Sequence, residues 1–150
     1  MRDQDCIFCK VIHNELPSFK IWEDENSIAI LDIFPNTKGQ TLVIPKSHLP
    51  SYQFDLDDKD YSMILNAAKS VGKLLEKKMD VKRVALVIEG MGVNHLHVKL
   101  YPLHGLSETF TEMWAKEKVY FEKYEGYIST NLGPRADDGE LEKIAEHLRA

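Results

Sequence analysis

The sequence of 150 residues contains only two cysteines, Cys6 and Cys9, and has no long apolar run. Two cysteines cannot provide the disulfide framework that many small secreted proteins need. Apolar runs such as Ile28–Leu31 and Ala85–Ile88 are far shorter than the roughly 20 residues of a membrane-spanning helix. The start of the chain also lacks an apolar segment as long as that of a secretory signal. We therefore expect a soluble, cytoplasmic protein.

An excess of positive charge is missing as well. The formal net charge is −5 and the isoelectric point is near 5.7, and Lys and Arg form no block or stripe. Non-specific nucleic-acid binding and binding to an anionic membrane both need such a basic surface, so we expect neither kind of partner. The 43% of hydrophobic residues can form a core, and the length fits one domain over residues 1–150.

Hydrophobic periodicity predicts strands on both sides of one long helix. Apolar residues recur at helical spacing from Tyr61 to Met79, and Asp57 is a suitable N-cap for that helix. We expect a short helix or turn over Cys6–His13, and further helices over Thr111–Tyr124 and around Leu141, Ile144 and Leu148. The predicted strands are Phe19–Glu23, Ser27–Ile33, Thr41–Ile44, Val84–Ile88 and Val93–Tyr101. This order indicates an α+β fold with a largely antiparallel sheet of about five strands.

Polar side chains alternate with apolar ones in the last predicted strand. Successive side chains of a strand point to opposite faces, so His95, His97 and Lys99 should share one face. A face with three nitrogen-bearing side chains indicates either a functional site or a solvent-facing polar edge. Because two imidazoles at this spacing can also bind a metal, an open metal site at His95 and His97 is a third interpretation.

The Cys6-x-x-Cys9 pair has the spacing of one half of a zinc site. His48 and His95 are candidates for the other half, which gives a closed set of four nitrogen and sulfur ligands. A closed set leaves no position for a reacting water, so such a zinc would be structural. From spacing alone, a redox pair or two small buried side chains are alternatives.

Two longer motifs resemble the histidine triad (HIT) family of nucleotide hydrolases and transferases. They are the stretch from Asp32 to His48 and the stretch Gly92-Val93-Asn94-His95-Leu96-His97, and Cys6-Ile7-Phe8-Cys9-Lys10 is similar to the start of the bacterial zinc-bearing members. The resemblance extends over about residues 5–104, with 105–150 as a C-terminal extension. It implies the HIT-like sheet with one long helix, a homodimer, and no organic cofactor.

The resemblance also implies roles for individual residues. His97 matches the histidine that attacks the α-phosphorus of a nucleoside phosphoanhydride or phosphoramidate and forms a covalent nucleotidyl intermediate. Asp32 matches the acidic residue that binds the ribose hydroxyls, and Ile33 lies beside the nucleoside. A purine nucleotide or nucleotide conjugate is the implied partner. The residues that match the ligands of a structural zinc are Cys6, Cys9, His48 and His95.

The sequence departs from the family pattern around the phosphate. Lys99 stands where the family usually has the third histidine, and Met91 stands where a glutamine commonly donates to the phosphate. We expect Lys99 to take over part of this role, because a cation beside the nucleophile can pair with a phosphate oxygen. The loop at Gly90 and Gly92 can supply backbone N–H donors, since glycine lets the chain approach an anion closely.

Three functions fit these residues. The first is an enzyme that uses His97 as its nucleophile, with activity reduced by Met91 and Lys99. The second is a zinc-stabilised homodimer that binds a nucleotide without turnover. The third is a hydrolase with an open metal site at His95 and His97.

Overall fold

In the computed structural model, which describes residues 2–128 and 132–150, five antiparallel strands form one sheet and three helices pack against it. The strand order is β1-β2-β3-β5-β4. The strands are β1 (Lys20–Glu23), β2 (Ser27–Leu31), β3 (Thr41–Pro45), β4 (Val84–Val87) and β5 (Val98–Pro102). The helices are α1 (Ile7–Ile12), α2 (Asp58–Met79) and α3 (Asp138–Arg149), and Gln53–Asp55 forms a 3₁₀ turn. The predicted α+β class with a five-stranded antiparallel sheet is confirmed.

The long helix α2 begins where the sequence predicts it. The Asp57 side chain accepts a hydrogen bond of 2.8 Å from the backbone N–H of Asp60, which satisfies one of the unpaired donors of the first turn. Acidic residues in the first turn and lysines in the last turn both complement the helix dipole. The helix ends at Asp80, which has a left-handed conformation with φ of 50°.

The two faces of the sheet are covered by different elements. Helices α2 and α3 pack on one face, which we call the helix face, where Leu96, Val98 and Leu100 join the main core. The other face, which we call the α1 face, packs Ile30, Leu42 and their neighbours against α1. Lys99 pairs with Leu42 in the sheet register, so its side chain lies on the α1 face. The alternation predicted for this segment is thus confirmed, and it separates core residues from site residues.

Several predicted boundaries are wrong. The last strand begins at Val98 rather than at Val93, because the Leu96 N–H donates to the carbonyl of Leu49 and leaves the strand ladder. Strand β2 ends at Leu31, since the Asp32 side chain accepts from the N–H of Phe34 and closes a turn.

The predicted helix over Thr111–Tyr124 is also wrong, because this segment contains no regular secondary structure. Its aromatic residues are exposed, including Trp114 at 83% and Tyr120 at 88% of their surface. An isolated helix of this length is marginal in water without a buried face. By contrast, the C-terminal helix is confirmed as α3, which buries Leu141, Ala145 and Leu148 in the main core.

The backbone just before α3 docks onto the loop that follows β2. The N–H of Gly133 donates to the Phe34 carbonyl at 3.1 Å, and the N–H of Ala136 donates to the Ile33 carbonyl at 2.9 Å. A Cβ atom at Gly133 would lie only 1.9 Å from the carbonyl oxygen of Pro35. The close approach of the two backbones therefore needs glycine at this position.

We expect Gly133→Ala to destabilise the protein by about 1–3 kcal/mol, because one backbone must move away from the other. The matched control is Gly72→Ala within α2, where a Cβ atom meets nothing within 4 Å. That substitution should stabilise the helix by about 1 kcal/mol. Thermal unfolding of both variants measures the difference, at roughly 2–4 °C per kcal/mol. Equal melting temperatures for the two variants would contradict the close approach.

None of the helices in the described part of the chain is both long enough and apolar enough to cross a bilayer.

Candidate active site and metal centre

Two cysteines and two histidines from distant parts of the sequence meet at the edge of the α1 face. Their ligand atoms all lie within 4.8 Å of one another, and three of the four residues are buried. Sγ of Cys6 lies 3.3 Å from Nδ1 of His95, and Sγ of Cys9 lies 3.4 Å from Nδ1 of His48 and 3.7 Å from Nδ1 of His95. The structure thus brings together the four residues that the sequence analysis grouped.

The spacing of these four groups suits a tetrahedral metal ion. Zinc binds thiolate sulfur at about 2.3 Å and imidazole nitrogen at about 2.0–2.1 Å, so tetrahedral ligation separates a sulfur from a nitrogen by about 3.5 Å. The observed sulfur–nitrogen distances of 3.3 to 3.7 Å bracket this value. The donor set of two sulfurs and two nitrogens is typical of structural zinc sites.

The outer nitrogens of both histidines have partners that orient the rings. Nε2 of His95 donates to the Pro45 carbonyl at 2.9 Å, which leaves the lone pair of Nδ1 facing the two sulfurs. Nε2 of His48 lies 3.8 Å from a carboxylate oxygen of Asp3. Such second contacts fix the tautomer and the ring orientation of metal-binding histidines.

The protonation of the cluster reflects its burial. Burial is the main cause that lowers the pKa of His95 to about 4, and it outweighs the Pro45 carbonyl that stabilises the charged ring. His95 is therefore neutral near pH 7, which is the form that binds a metal. Burial also raises the pKa of the Cys9 thiol, so a metal ion would have to supply the positive charge that favours the thiolate.

His97 lies outside this cluster, in the segment that directly precedes β5. Its Nδ1 lies 2.8 Å from the His95 carbonyl oxygen, and because a carbonyl can only accept, Nδ1 carries the proton. The lone pair of the neutral ring is therefore on Nε2. Burial, followed by the charge of Lys99, lowers the pKa of His97, while the His95 carbonyl, Asp32 and Glu89 oppose the shift.

The ring of His97 is packed in the interior and does not lie in an open cleft. The residue is only 4% exposed, and its ring centroid lies 5.3 Å from that of Phe8 in an edge-to-face contact. Phe8 belongs to α1, between the two cysteines of the cluster. The α1 segment therefore covers part of the His97 ring.

Lys99 is buried and ion-paired, which rules out a solvated strand end. Its Nζ lies 3.3 Å from Oε2 of Glu89, and the two side chains are 9% and 2% exposed. Glu89 follows β4, two residues after Val87, which is the register partner of Lys99. The sequence analysis did not identify Glu89, because only the pairing of β4 with β5 brings the two residues together.

Asp32 is also buried and is held by two hydrogen bonds. Its Oδ1 accepts from the N–H of Phe34 at 2.9 Å, and its Oδ2 accepts from the Gln40 side chain at 2.8 Å. Among the proposed nucleotide contacts, Ile33 lies beside it and is 37% exposed. The Asp32 carboxylate raises the pKa of His97, and the charge of Lys99 lowers it.

The glycine loop between β4 and β5 has the conformation that only glycine adopts without strain. Gly90 and Gly92 have φ angles of +74° and +87°. Ser51 holds this loop, since its hydroxyl donates to the Gly90 carbonyl at 3.0 Å and also contacts Asn94. Met91, between the glycines, is 50% exposed. The loop is therefore fixed at its base and exposed at its tip.

Comparison with known proteins gives the same family throughout. A model described as the HIT domain matches residues 13–105. An uncharacterized HIT-like protein of Borreliella burgdorferi is 48% identical over 49% of this chain, a match that spans about half (52%) of that protein. The adenosine 5′-monophosphoramidase of Saccharomyces cerevisiae is 34% identical over 81% of this chain and 77% of its own length.

Solved structures show the same fold. A HIT-like protein of Bartonella henselae, described as involved in cell-cycle regulation, has a TM-score of 0.71 at 25% identity and covers 99% of this chain and 98% of its own. A zinc-bound histidine triad family protein of Mycobacterium smegmatis has a TM-score of 0.67 at 23% identity over 97% of this chain and 91% of its own. The family match over residues 13–105 and the identity over most of the yeast enzyme lead to one conclusion: the chain belongs to the HIT domain family.

Proposed function

We propose that this protein is a nucleotide hydrolase or nucleotidyl transferase in which His97 is the covalent nucleophile. The observation that carries the proposal is the tautomer of His97, with Nδ1–H held by the His95 carbonyl at 2.8 Å and the lone pair on Nε2. A neutral imidazole is a competent nucleophile near pH 7. The yeast relative, which is named as an adenosine 5′-monophosphoramidase, supports a nucleotide as the substrate.

The reaction proceeds in two displacements at the α-phosphorus. Nε2 of His97 forms a bond to phosphorus, and the bond from phosphorus to the leaving oxygen or nitrogen breaks as that atom takes a proton from solvent. Water then attacks the same phosphorus and loses a proton, the bond to Nε2 breaks, and the nucleoside monophosphate leaves. Positioning and charge stabilisation dominate such transfers, so the groups around His97 determine the rate.

Each neighbour has a role in this scheme. We assign Lys99 to pair with a phosphate oxygen, and the N–H groups near Gly90 and Gly92 to donate to the phosphate. Asp32 has one oxygen bound to the Gln40 amide, which fixes the carboxylate for hydrogen bonds from the ribose hydroxyls. Ile33, which is 37% exposed, provides an apolar contact for the nucleoside.

We also propose that Cys6, Cys9, His48 and His95 hold a structural zinc ion. The zinc-bound relative of Mycobacterium smegmatis supports the metal, in addition to the donor set and its spacing. When bound, the ion supplies cross-linking rather than catalysis, because four protein ligands leave no open position. Its place beside Phe8 ties the α1 segment to the sheet above His97.

The chain as a whole is proposed to form one HIT-like domain, with a core over about residues 5–104 and an extension over 105–150 that adds α3. We further propose a homodimer formed through α2 and the strands. Strand β4 lies at the edge of the sheet and Leu86 on it is 44% exposed, which leaves an apolar edge for a second copy.

A nucleotide-binding protein without turnover is the second candidate, and the burial of His97 is the observation that favours it. Incubation with an adenosine phosphoramidate, an aminoacyl adenylate and a dinucleoside polyphosphate separates the two candidates. The enzyme releases a nucleoside monophosphate from at least one compound. Binding of these compounds without any release would support the second candidate and overturn the first.

We expect Lys99→Ala to reduce the rate of nucleotidyl transfer to His97 by about a hundredfold, as for the loss of one well-placed transition-state donor. Lys99→Arg, which keeps the charge, is the matched control and should retain most of the rate. Single-turnover kinetics measure the step directly. Because the alanine variant leaves Glu89 buried without its cation, a loss of about 3–5 kcal/mol in stability is also expected, and both variants are compared well below their melting temperatures. Unchanged rates would remove the role of Lys99.

A further inference from the structure

The lysine on the same face as His97 is paired with a buried carboxylate. Lys99 lies on the α1 face of the sheet, two residues beyond His97, and Glu89 follows β4, whose Val87 is the register partner of Lys99. Because Nζ of Lys99 lies 3.3 Å from Oε2 of Glu89, most of the lysine charge is neutralised within the protein. The buried pair therefore adds no net positive charge to the site where we place the α-phosphate.

The burial of the Lys99–Glu89 ion pair costs desolvation free energy, so its presence in the fold indicates a function. Both side chains of the pair are more than nine-tenths buried, and the desolvation of two charges can exceed their mutual attraction. A methionine or leucine pair would fill the same space at no such cost. Glu89 follows β4 and its carboxylate contacts Nζ of Lys99, so its effect on a substrate acts through the charge of Lys99.

We propose that Glu89 is a positioning residue that determines the charge of the substrate that the site accepts. By holding and neutralising Lys99, it lets the site favour a singly charged α-phosphorus with an uncharged leaving group, such as a phosphoramidate or an acyl adenylate. Compounds with further phosphates are disfavoured. This inference rests on the proposed function at His97 and makes its substrate class more specific.

The physical reason is the low dielectric constant of the site. Two charges a few ångströms apart interact more strongly near buried groups than in water. Each extra phosphate charge is therefore repelled by the Glu89 carboxylate, and salt screens this repulsion poorly. A singly charged substrate needs only one compensating group, which the partly neutralised Lys99 still provides. Like charge at a binding site is a common means to reject a wrong ligand.

The test compares two adenosine substrates, an adenosine phosphoramidate and diadenosine triphosphate, in a series of variants. The readout is the ratio of their kcat/KM values, which a purely structural role of Glu89 would not move. Glu89→Gln removes one negative charge and should shift this ratio toward the triphosphate by about tenfold. Lys99→Met should shift it the opposite way. Glu89→Asp, the conservative control, should keep the ratio of the wild type.

The double variant Glu89→Gln with Lys99→Met protects the test against misfolding, since it removes both members of the buried pair. The net charge is then that of the wild type, so the ratio should return to the wild-type value even though both rates fall. A ratio that is equal in the wild type and in folded Glu89→Gln overturns the inference, as does a double variant that follows Glu89→Gln.

Failure of the proposed function gives a different result. If the wild type turns over neither substrate, the same variants are compared by the affinities of adenosine monophosphate and adenosine triphosphate in titration calorimetry. A Glu89→Gln variant that binds the triphosphate about tenfold better relative to the monophosphate supports the role of Glu89 in a protein without turnover. An unchanged affinity ratio, or no binding of either nucleotide, overturns it.

Discussion

Replacement of His97 by alanine should reduce nucleotide hydrolysis by at least about a thousandfold, because loss of a covalent nucleophile removes the whole two-step pathway. The ring packs against Phe8 and is nearly buried, so alanine leaves a small cavity, and we expect a modest fall in melting temperature. The measurement is the initial rate of nucleoside monophosphate release from an adenosine phosphoramidate, at a temperature where both proteins are folded.

The matched control for this substitution is His13→Ala. His13 lies at the end of α1 and is exposed, outside the groups that surround His97. Its variant should keep the wild-type rate. A His97→Ala protein that hydrolyses the substrate within tenfold of the wild type would show that the reaction uses another group.

The second large effect concerns the metal centre. We expect the purified protein to contain one zinc ion per chain, and a strong chelator to lower its melting temperature by more than about 10 °C. Structural zinc contributes several kcal/mol to folding, and each kcal/mol corresponds to roughly 2–4 °C in a protein of this size. Elemental analysis and thermal unfolding before and after chelation measure both quantities.

Cys9→Ser should abolish zinc binding, because Sγ of Cys9 lies next to both histidines of the cluster. The chelated wild type and Cys9→Ser should melt at similar temperatures, and added zinc should restore only the wild type. An open catalytic metal at His95 and His97 predicts the reverse, namely loss of activity on chelation with little change in melting temperature. The structural site would be contradicted by a purified protein that contains no metal and whose melting temperature changes with neither added zinc nor chelator.

The parts of the fold that follow from local chemistry could be predicted from the sequence. The start of α2 depends on a capping aspartate and an apolar stripe, and both are readable within a few residues. The placement of Val98 and Leu100 in the main core depends only on strand alternation. The wrong boundary of β5 has a long-range cause, since the N–H of Leu96 donates to the carbonyl of Leu49, about a third of the chain away.

The helix expected over Thr111–Tyr124 is wrong for a related reason. Aromatic spacing indicates a helix only if one face is buried, and no element among residues 2–128 and 132–150 covers Trp114 or Tyr120. Composition gives no information about such cover.

The candidate site was likewise only partly predictable from the sequence. The four residues of the Cys/His cluster were grouped from a local Cys-x-x-Cys spacing and a family resemblance, and the structure brings them together. Phe8 and Glu89 were not identified as site residues. Each reaches the neighbourhood of His97 only through packing between distant segments, namely α1 against the sheet and β4 against β5. The charge balance of the site therefore became visible only in three dimensions.

The most direct test of the central claim is to trap the covalent intermediate. The protein is mixed with an excess of an adenosine phosphoramidate, quenched in alkali within one turnover to preserve the phosphorus–nitrogen bond, and examined by intact mass and by peptide mapping. We predict a mass increase of one adenylyl group, located at His97 and lost in His97→Ala. Hydrolysis of the substrate without any adduct, or an adduct on another residue, would contradict the account.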